Sequence, residues 1–302
     1  MTKSIIGVDV SKHAIDCYDS SNDNHSRVGM DEVSQWFDKI EKKSDILVIC
    51  EATGIYSRRL CRKLNEMNIA NTEVNPRHVR RFAQACGIIA KNDKIDAKVI
   101  ARYAKACDVQ STESVELNEE LRDVVTRRDQ LLNMIQLEQG HAETCDSPII
   151  MKMIDNNIKI LKKQISVIEE QLQALINKQP KAEIMLSMPG IGNNTVAALL
   201  AYMPEIGKIN RGQVAALAGL APYVRDSGTF KGKRSIYGGR AKVRKPLYMA
   251  ALVATRHNLK YKQQYQKLIQ RGKPFKVAIT AIMRNMIVTL NNMVKNSQNW
   301  NL

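Results

Sequence analysis

Acidic residues nearly vanish from the last two-fifths of this 302-residue chain. Residues 181–302 hold 3 Asp/Glu against 20 Lys/Arg, whereas residues 1–180 hold 27 against 26. The basic excess behind the net charge of +16 therefore lies in the C-terminal part. A solubility shell does not need so lopsided a ratio, but a surface that meets a polyanion does, so nucleic acid is the expected partner. Paired cysteines are missing too. Cys17, Cys50, Cys61, Cys86, Cys107 and Cys145 form no CxxC, and the five histidines do not cluster with them. A zinc site is not expected, and the thiols read as reduced and cytosolic. No signal-peptide layout opens the sequence, and no apolar run approaches the ~20 residues of a membrane span. The expectation is a cytoplasmic protein with no membrane partner. Hydrophobic residues, at 44 %, suffice for a packed core in two or three domains.

Three segments follow one another. Residues 1–108 alternate strand and helix signals. "SIIGVDV" and "DILVICEA" read as buried strands, and "NTEVNP" as an extended stretch stopped by Pro76. "AIDCYDS" reads as a strand antiparallel to the first through a short turn at residues 11–13. "DEVSQWFDKIEKK" reads as a helix with acids in its first turn; "YSRRLCRKLNEM", "HVRRFAQACG" and "DKIDAKVIARYAKA" read as further helices. The pattern is that of an α/β domain with a mixed sheet.

Residues 109–180 change character. Leu117, Leu121, Val124, Arg128, Leu131 and Ile135 follow a 4,3 spacing, and Ile154, Ile158, Leu161, Ile165, Ile168, Leu172 and Leu175 resume it. These are heptad positions, which predict a coiled-coil helical hairpin, a spacer or an oligomerisation arm. Residues 181–302 form the third, mostly α, basic domain. Its centre, "APYVRDSGTFKGKRSIYGGRAKVRK", packs eight Lys/Arg into the 21 residues from Arg225 to Lys245 and reads as an ordered functional loop.

Four carboxylates suggest a metal. Asp9 and Glu51 each end a strand, and Asp93 and Asp96 share a helical face in "KNDKIDAK". Like charges at i and i+3 repel on an ordinary helix. A divalent cation reverses that sign, and Mg²⁺ takes hard oxygen ligands of this kind. Arg77, Arg80, Arg81, Lys91, Lys94 and Lys98 flank the acids and could hold a phosphate chain. Each acid alone has a plainer reading as a turn residue, a cap or a first-turn acid; the joint pattern favours metal.

"MPGIGNNTVAALLA" has the form of a helix-hairpin-helix, with Gly190 and Gly192 turning the backbone and a helix N-terminus offered to phosphate. Downstream, Ser227 lies among Arg225, Lys231, Lys233, Arg234, Arg240 and Arg244. A serine nucleophile needs activation, and dense cationic charge stabilises a phosphate under attack. Residue types alone do not choose between Ser227 and the neighbouring hydroxyls of Ser235, Tyr223 and Tyr237.

Taken together, "GVDVSK", "CEATGIY", "NPRHVRRFA", "KNDKIDAKVIARYA", "MPGIGNNTVAALLA", "LAGLAPYVRDSG" and "GGRAKVRKPLYMAAL" resemble the IS110 family of insertion-sequence transposases, in its IS1111 branch. The resemblance runs through essentially the whole chain. It implies a ribonuclease-H-like (RuvC-like) first domain whose D-E-D-D tetrad falls on Asp9, Glu51, Asp93 and Asp96. Asn92 stands where many relatives have threonine. It also implies a serine nucleophile at Ser227, which attacks a DNA phosphodiester and holds a phosphoserine link, with Mg²⁺ on the tetrad. The implied partners are the element's ends and target DNA, a structured bridge-type guide RNA, and further copies of the chain in a dimer or tetramer. Two other readings stay open on the residues alone. One is a metal-dependent, structure-specific nuclease with no covalent intermediate; the other is a nucleic-acid scaffold with no catalysis.

Overall fold

Alternation in "SIIGVDV" decides the first unit. Ile6, Val8 and Val10 point to one face of a strand and are buried there, leaving Gly7 and Asp9 on the other. This strand, β1 (Ser4–Val10), is the centre of a five-stranded sheet. The computed structural model describes residues 4–88, 92–111, 118–223, 226–227, 230–232 and 234–301, with the backbone alone at 226–227 and 230–231. The chain divides into two units, Met1–Val115 and Glu116–Leu302.

In the first unit, β2 (Ala14–Asp19) and β3 (Asn24–Gly29) join β1 as an antiparallel meander. β4 (Ile46–Glu51) and β5 (Asn71–Val74) extend the sheet in parallel on the other side, giving the order β3-β2-β1-β4-β5. α1 (Val33–Asp38) and α2 (Ile55–Glu66) accompany the face that buries Phe37, Leu60 and Leu64 against Val8 and Val48. α3 (Pro76–Ala85) and α4 (Asp93–Ala106) cover the opposite face through Val79, Ala83, Val99 and Ile100 against Leu47 and Ile49. A meander followed by parallel strands with helices on both faces is the ribonuclease-H-like (RuvC-like) class of mixed sheet.

One sequence expectation needs correction, and one strand was not foreseen. The helix read over residues 31–43 is short: α1 covers Val33–Asp38, Glu32 is its N-cap, and its first turn holds no acid. Buried Val33 and Phe37 fix only this much of it. β3 has no counterpart in the sequence reading. Its "NHSRVG" is polar because it is an edge strand with only Val28 fully buried.

The second unit is helical. α5 (Glu119–Ala142) and α6 (Pro148–Asn177) pack side by side and run antiparallel: Arg128 meets Glu169, and further along Glu138 meets Asn157. Leu131, Ile135 and Leu161 are buried between them; Leu117 lies outside the described residues. α7 (Pro180–Leu186) and α8 (Asn193–Tyr202) flank the Pro189–Gly192 turn, and α8 is buried from Thr195 to Tyr202. α9 (Arg211–Leu217), α10 (Ala241–His257), α11 (Leu259–Gln270) and α12 (Phe275–Lys295) complete the packing. α12 is long and apolar enough to cross a membrane by length and composition. Its Ile279, Ile282, Met286, Ile287 and Leu290 are instead buried in the core of this unit. Each such side chain contributes about 1.5–3 kcal/mol by leaving water.

Candidate active site

Register brings the first two acids together. β1 and β4 run parallel with Val8 beside Cys50, so the next residues, Asp9 and Glu51, are neighbours at the C-terminal ends of the strands. Both belong to the face covered by α4, since Gly7 and Ile49, two residues back on each strand, lie under that helix. α4 starts there because the Asn92 side chain accepts the Ile95 amide at 2.8 Å. That cap sets Asp93 and Asp96 in the first turn. α4 lies very close to the sheet: a Cβ at Gly7 would fall 2.2 Å from the Ala97 carbonyl oxygen. Only glycine allows this approach.

The electrostatics follow from the packing. Burial pushes the Asp9 carboxyl above its usual range, and the charges of Asp96 and Asp93 push it further. Asp9 thus feels both Asp93 and Asp96, and register sets Glu51 on the neighbouring strand. An array of hard oxygen donors whose shared charge is unfavourable fits a divalent cation. When bound, such a cation supplies charge stabilisation to a phosphodiester under attack.

The row does not stop at the acids foreseen. Across β1 and β2, Asp9 pairs with Asp16, and across β2 and β3, Asp16 pairs with Arg27. Glu51, Asp9, Asp16 and Arg27 therefore form one line across four strands on the α4 face. Asp16 is only 4 % exposed. One Arg27 nitrogen stands 3.5 Å from Asp16 and 3.3 Å from Asp93. Sequence spacing missed both residues. The turn that sets the register was visible, with the Ser11 hydroxyl donating to the Ala14 carbonyl oxygen at 2.7 Å and its amide to the same oxygen at 3.0 Å. Counting outward from it pairs Asp9 with Asp16.

The basic residues fall into groups. Arg77, Arg80 and Arg81 are exposed on α3, which packs against α4. Lys98 is paired to Asp23 at 2.8 Å. Lys91, Arg225 and Lys233 lie outside the described residues, as do the side chains of Ser227 and Lys231. In the second unit Gly190, at φ 85°, comes so close to α10 that a Cβ would meet the Ala250 carbonyl oxygen at 2.7 Å. Gly192 is the N-cap of α8, with open space around it.

The serine segment is a two-tier hairpin. β6 (Pro222–Tyr223) pairs with β9 (Ser235–Ile236), and within them β7 (Asp226–Ser227) pairs with β8 (Phe230–Lys231). Ser227 is therefore in the outer tier, opposite Phe230. The base is tied down. Arg240 donates to both Glu205 carboxylate oxygens at 2.6 Å and to the Tyr202 carbonyl oxygen at 2.9 Å. Arg244 donates to the Gly238 carbonyl oxygen at 2.7 Å. Gly219 and Gly239 cross there with no room for a Cβ on either. Two of the arginines expected to meet nucleic acid thus have structural partners, while Arg234 is exposed. Tyr223 and Tyr237 are half exposed and meet edge to face, 6.3 Å between ring centres.

Two family models match this architecture. One for DEDD transposases of the IS110 type spans residues 6–141, and one described as "Transposase IS116/IS110/IS902 family" spans residues 182–266. The chain belongs to the IS110 family of transposases. Members are enzymes that cleave and rejoin DNA, and DNA is the substrate of this IS110-family transposase. Similar curated proteins include a "Pilin gene-inverting protein" of Moraxella lacunata, 28 % identical over 304 residues, covering 95 % of this chain and 94 % of the relative. Its counterpart from Moraxella bovis is equally similar. A 43.6 kDa protein of insertion element IS110 from Streptomyces coelicolor is 26 % identical over 149 residues, 49 % of this chain and 37 % of that one.

Proposed function

We propose that this transposase moves or inverts a DNA segment by serine chemistry, assisted by Mg²⁺ on Asp9, Glu51, Asp93 and Asp96. The observation that carries the reading is the convergence of these acids at the strand ends beneath α4, with the charges of Asp93 and Asp96 acting on Asp9. In this reading Ser227 Oγ attacks phosphorus and displaces a deoxyribose oxygen, which leaves with a proton. The phosphoserine ester conserves the bond for rejoining when a deoxyribose hydroxyl attacks it and frees the serine. Arg240 and Arg244 tie down the base of the segment that carries Ser227. The inverting relatives, which act on pilin genes by name, support site-specific rearrangement over degradation.

Specificity in this reading comes from a structured guide RNA, because base pairing supplies sequence choice that the protein then need not read. Exposed Arg77, Arg80, Arg81 and Arg234 are the proposed phosphate contacts. The chain works as a dimer or tetramer through a coiled coil of α5 and α6, whose Leu137, Ile149, Ile150 and Met153 are exposed apolar side chains. The domain plan behind this reading is a tetrad domain over 1–108, the helical arm over 109–180 and the serine domain over 181–302.

The test is a covalent adduct. Purified protein, Mg²⁺, end-labelled junction DNA and the transcript of the element's flank are combined and run on a denaturing gel. A protein-linked label in wild type that is absent from Ser227→Ala is expected. Cleaved DNA with no adduct would replace this mechanism with a water-using nuclease acting through the four carboxylates alone.

A further inference from the structure

A buried carboxylate has to be partnered, and Asp16 has two candidates on its own face of the sheet. Its Oδ2 is 3.5 Å from Arg27 and its Oδ1 is 3.6 Å from His25 Nε2. That His25 nitrogen is itself buried and has no hydrogen-bond partner among the described residues. Arg27 lies opposite Asp16 in the β2–β3 register, so the pair is fixed by the backbone as well as by charge. The same guanidinium nitrogen donates to Asp93 Oδ2 at 3.3 Å. The two acids it bridges differ sharply: the Asp16 side chain is 5 % exposed and the Asp93 side chain 56 %. Asp16 is thus the anchor, and Asp93 is the group that can turn away.

We infer that Arg27, anchored by Asp16, is a resident cation of the acidic site: it holds Asp93 and offsets part of the cluster's charge until a divalent cation takes its place. The inference rests on the reading of the four carboxylates as a cation site. In the cation-free chain Arg27 lowers the repulsion among Asp9, Asp93 and Asp96. On loading, Asp93 exchanges a guanidinium for the metal, while Arg27 keeps its tie to Asp16 and stays beside the site. Arg27 and Asp16 are then positioning residues, the first competing with the cation and the second assisting it. Neither role is visible in sequence spacing, since the three residues come together only through strand register and the start of α4.

The test is calorimetric titration of the full chain with Mn²⁺, without nucleic acid, together with melting temperatures before and after loading. Arg27→Met is expected to bind Mn²⁺ more tightly, by up to about fivefold, the equivalent of one exposed ion pair. Its melting temperature without metal is expected to fall below wild type, with the gap closing at saturating Mn²⁺. Asp16→Asn is expected to bind Mn²⁺ more weakly, because it removes negative charge and frees Arg27 to pair fully with Asp93. General loosening of the fold would not move the two affinities in opposite directions. If Arg27→Met does not fold, Arg27→Gln gives the same comparison. Unchanged or weaker Mn²⁺ binding by the Arg27 variant overturns the inference while leaving the cation site standing. No Mn²⁺ binding by wild type overturns the cation site, and the inference with it.

Discussion

Gly7 lies directly beneath the Ala97 carbonyl oxygen, and a Cβ there would be 2.2 Å from that oxygen and 2.6 Å from the Ala101 amide nitrogen. Both obstacles are backbone, so a side chain at residue 7 lifts α4 from the sheet. Gly7→Ala should destabilise the first unit by about 3 kcal/mol, at the upper end for overpacking. It should also weaken divalent-cation binding, because Asp93 and Asp96 travel with α4. Chemical denaturation and Mn²⁺ titration of the same variant check the two effects.

Glu205 and Arg240 form a pair that responds to acid. Burial would raise the Glu205 carboxyl, but the hydrogen bonds and charge of Arg240 outweigh it and hold the group below the ordinary value of 4.5. A carboxyl depressed in the folded state stabilises the fold above its unfolded value. That stability is lost as pH falls below about 4.5 and through the lower folded value. Glu205→Gln should destabilise the second unit by about 1–2 kcal/mol near neutral pH, allowing for the partial exposure of the pair. It should also flatten the acid limb of the stability curve, which melting temperatures from pH 3 to pH 7 would show.

Thiol reactivity should follow burial and not sequence order. The Cys61 hydrogen bond and burial push the Cys50 thiol up, its sulfur lying 3.8 Å from that of Cys61, and burial does the same for Cys17. Cys86 and Cys107 are exposed. Iodoacetamide should label Cys86 and Cys107 first in the folded protein and reach Cys17 and Cys50 only on unfolding. Peptide mass spectrometry over a time course reads this directly.

The exposed apolar end of the α5–α6 pair makes a prediction about assembly. Ile149 is 76 % and Met153 62 % exposed. Ile149→Lys with Met153→Lys should shift the protein toward smaller species in light scattering. Thermal stability of the separated subunit should change by no more than about 0.5 kcal/mol, as expected for surface sites. An unshifted mass would place any self-association elsewhere.

Much of the first unit is legible in the sequence, for identifiable reasons. β4 is a continuous apolar strand buried on both faces of the sheet, β1 buries Ile6, Val8 and Val10 by alternation, and α4 carries its own cap in Asn92. The four acids stand out in the sequence because two lie at strand ends and two lie one helical turn apart at the start of α4. Asp16 could have been reached by counting from the β1–β2 turn, but Arg27 could not, since its meaning depends on β3, an edge strand with one fully buried apolar residue. Arg128 breaks the heptad pattern as a sequence; in the structure it donates to Glu169 on the facing helix at 2.8 Å. Arg240 and Arg244 illustrate the opposite limit. Residue type makes them phosphate contacts, while their neighbours make them the fastening of a hairpin.

The α5–α6 pair is rooted at one end only. Leu121, Val125, Leu172, Leu175 and Ile176 join the main core of the second unit, whereas Leu131, Ile135 and Leu161 form a small core of their own farther out. Its length is therefore adjustable without disturbing what it grows from. One heptad added to each helix moves the connecting turn outward by about 10 Å and returns the same seam to register. Reach in this pair of helices is thus counted in whole heptads, each added at the far end without a change at the root.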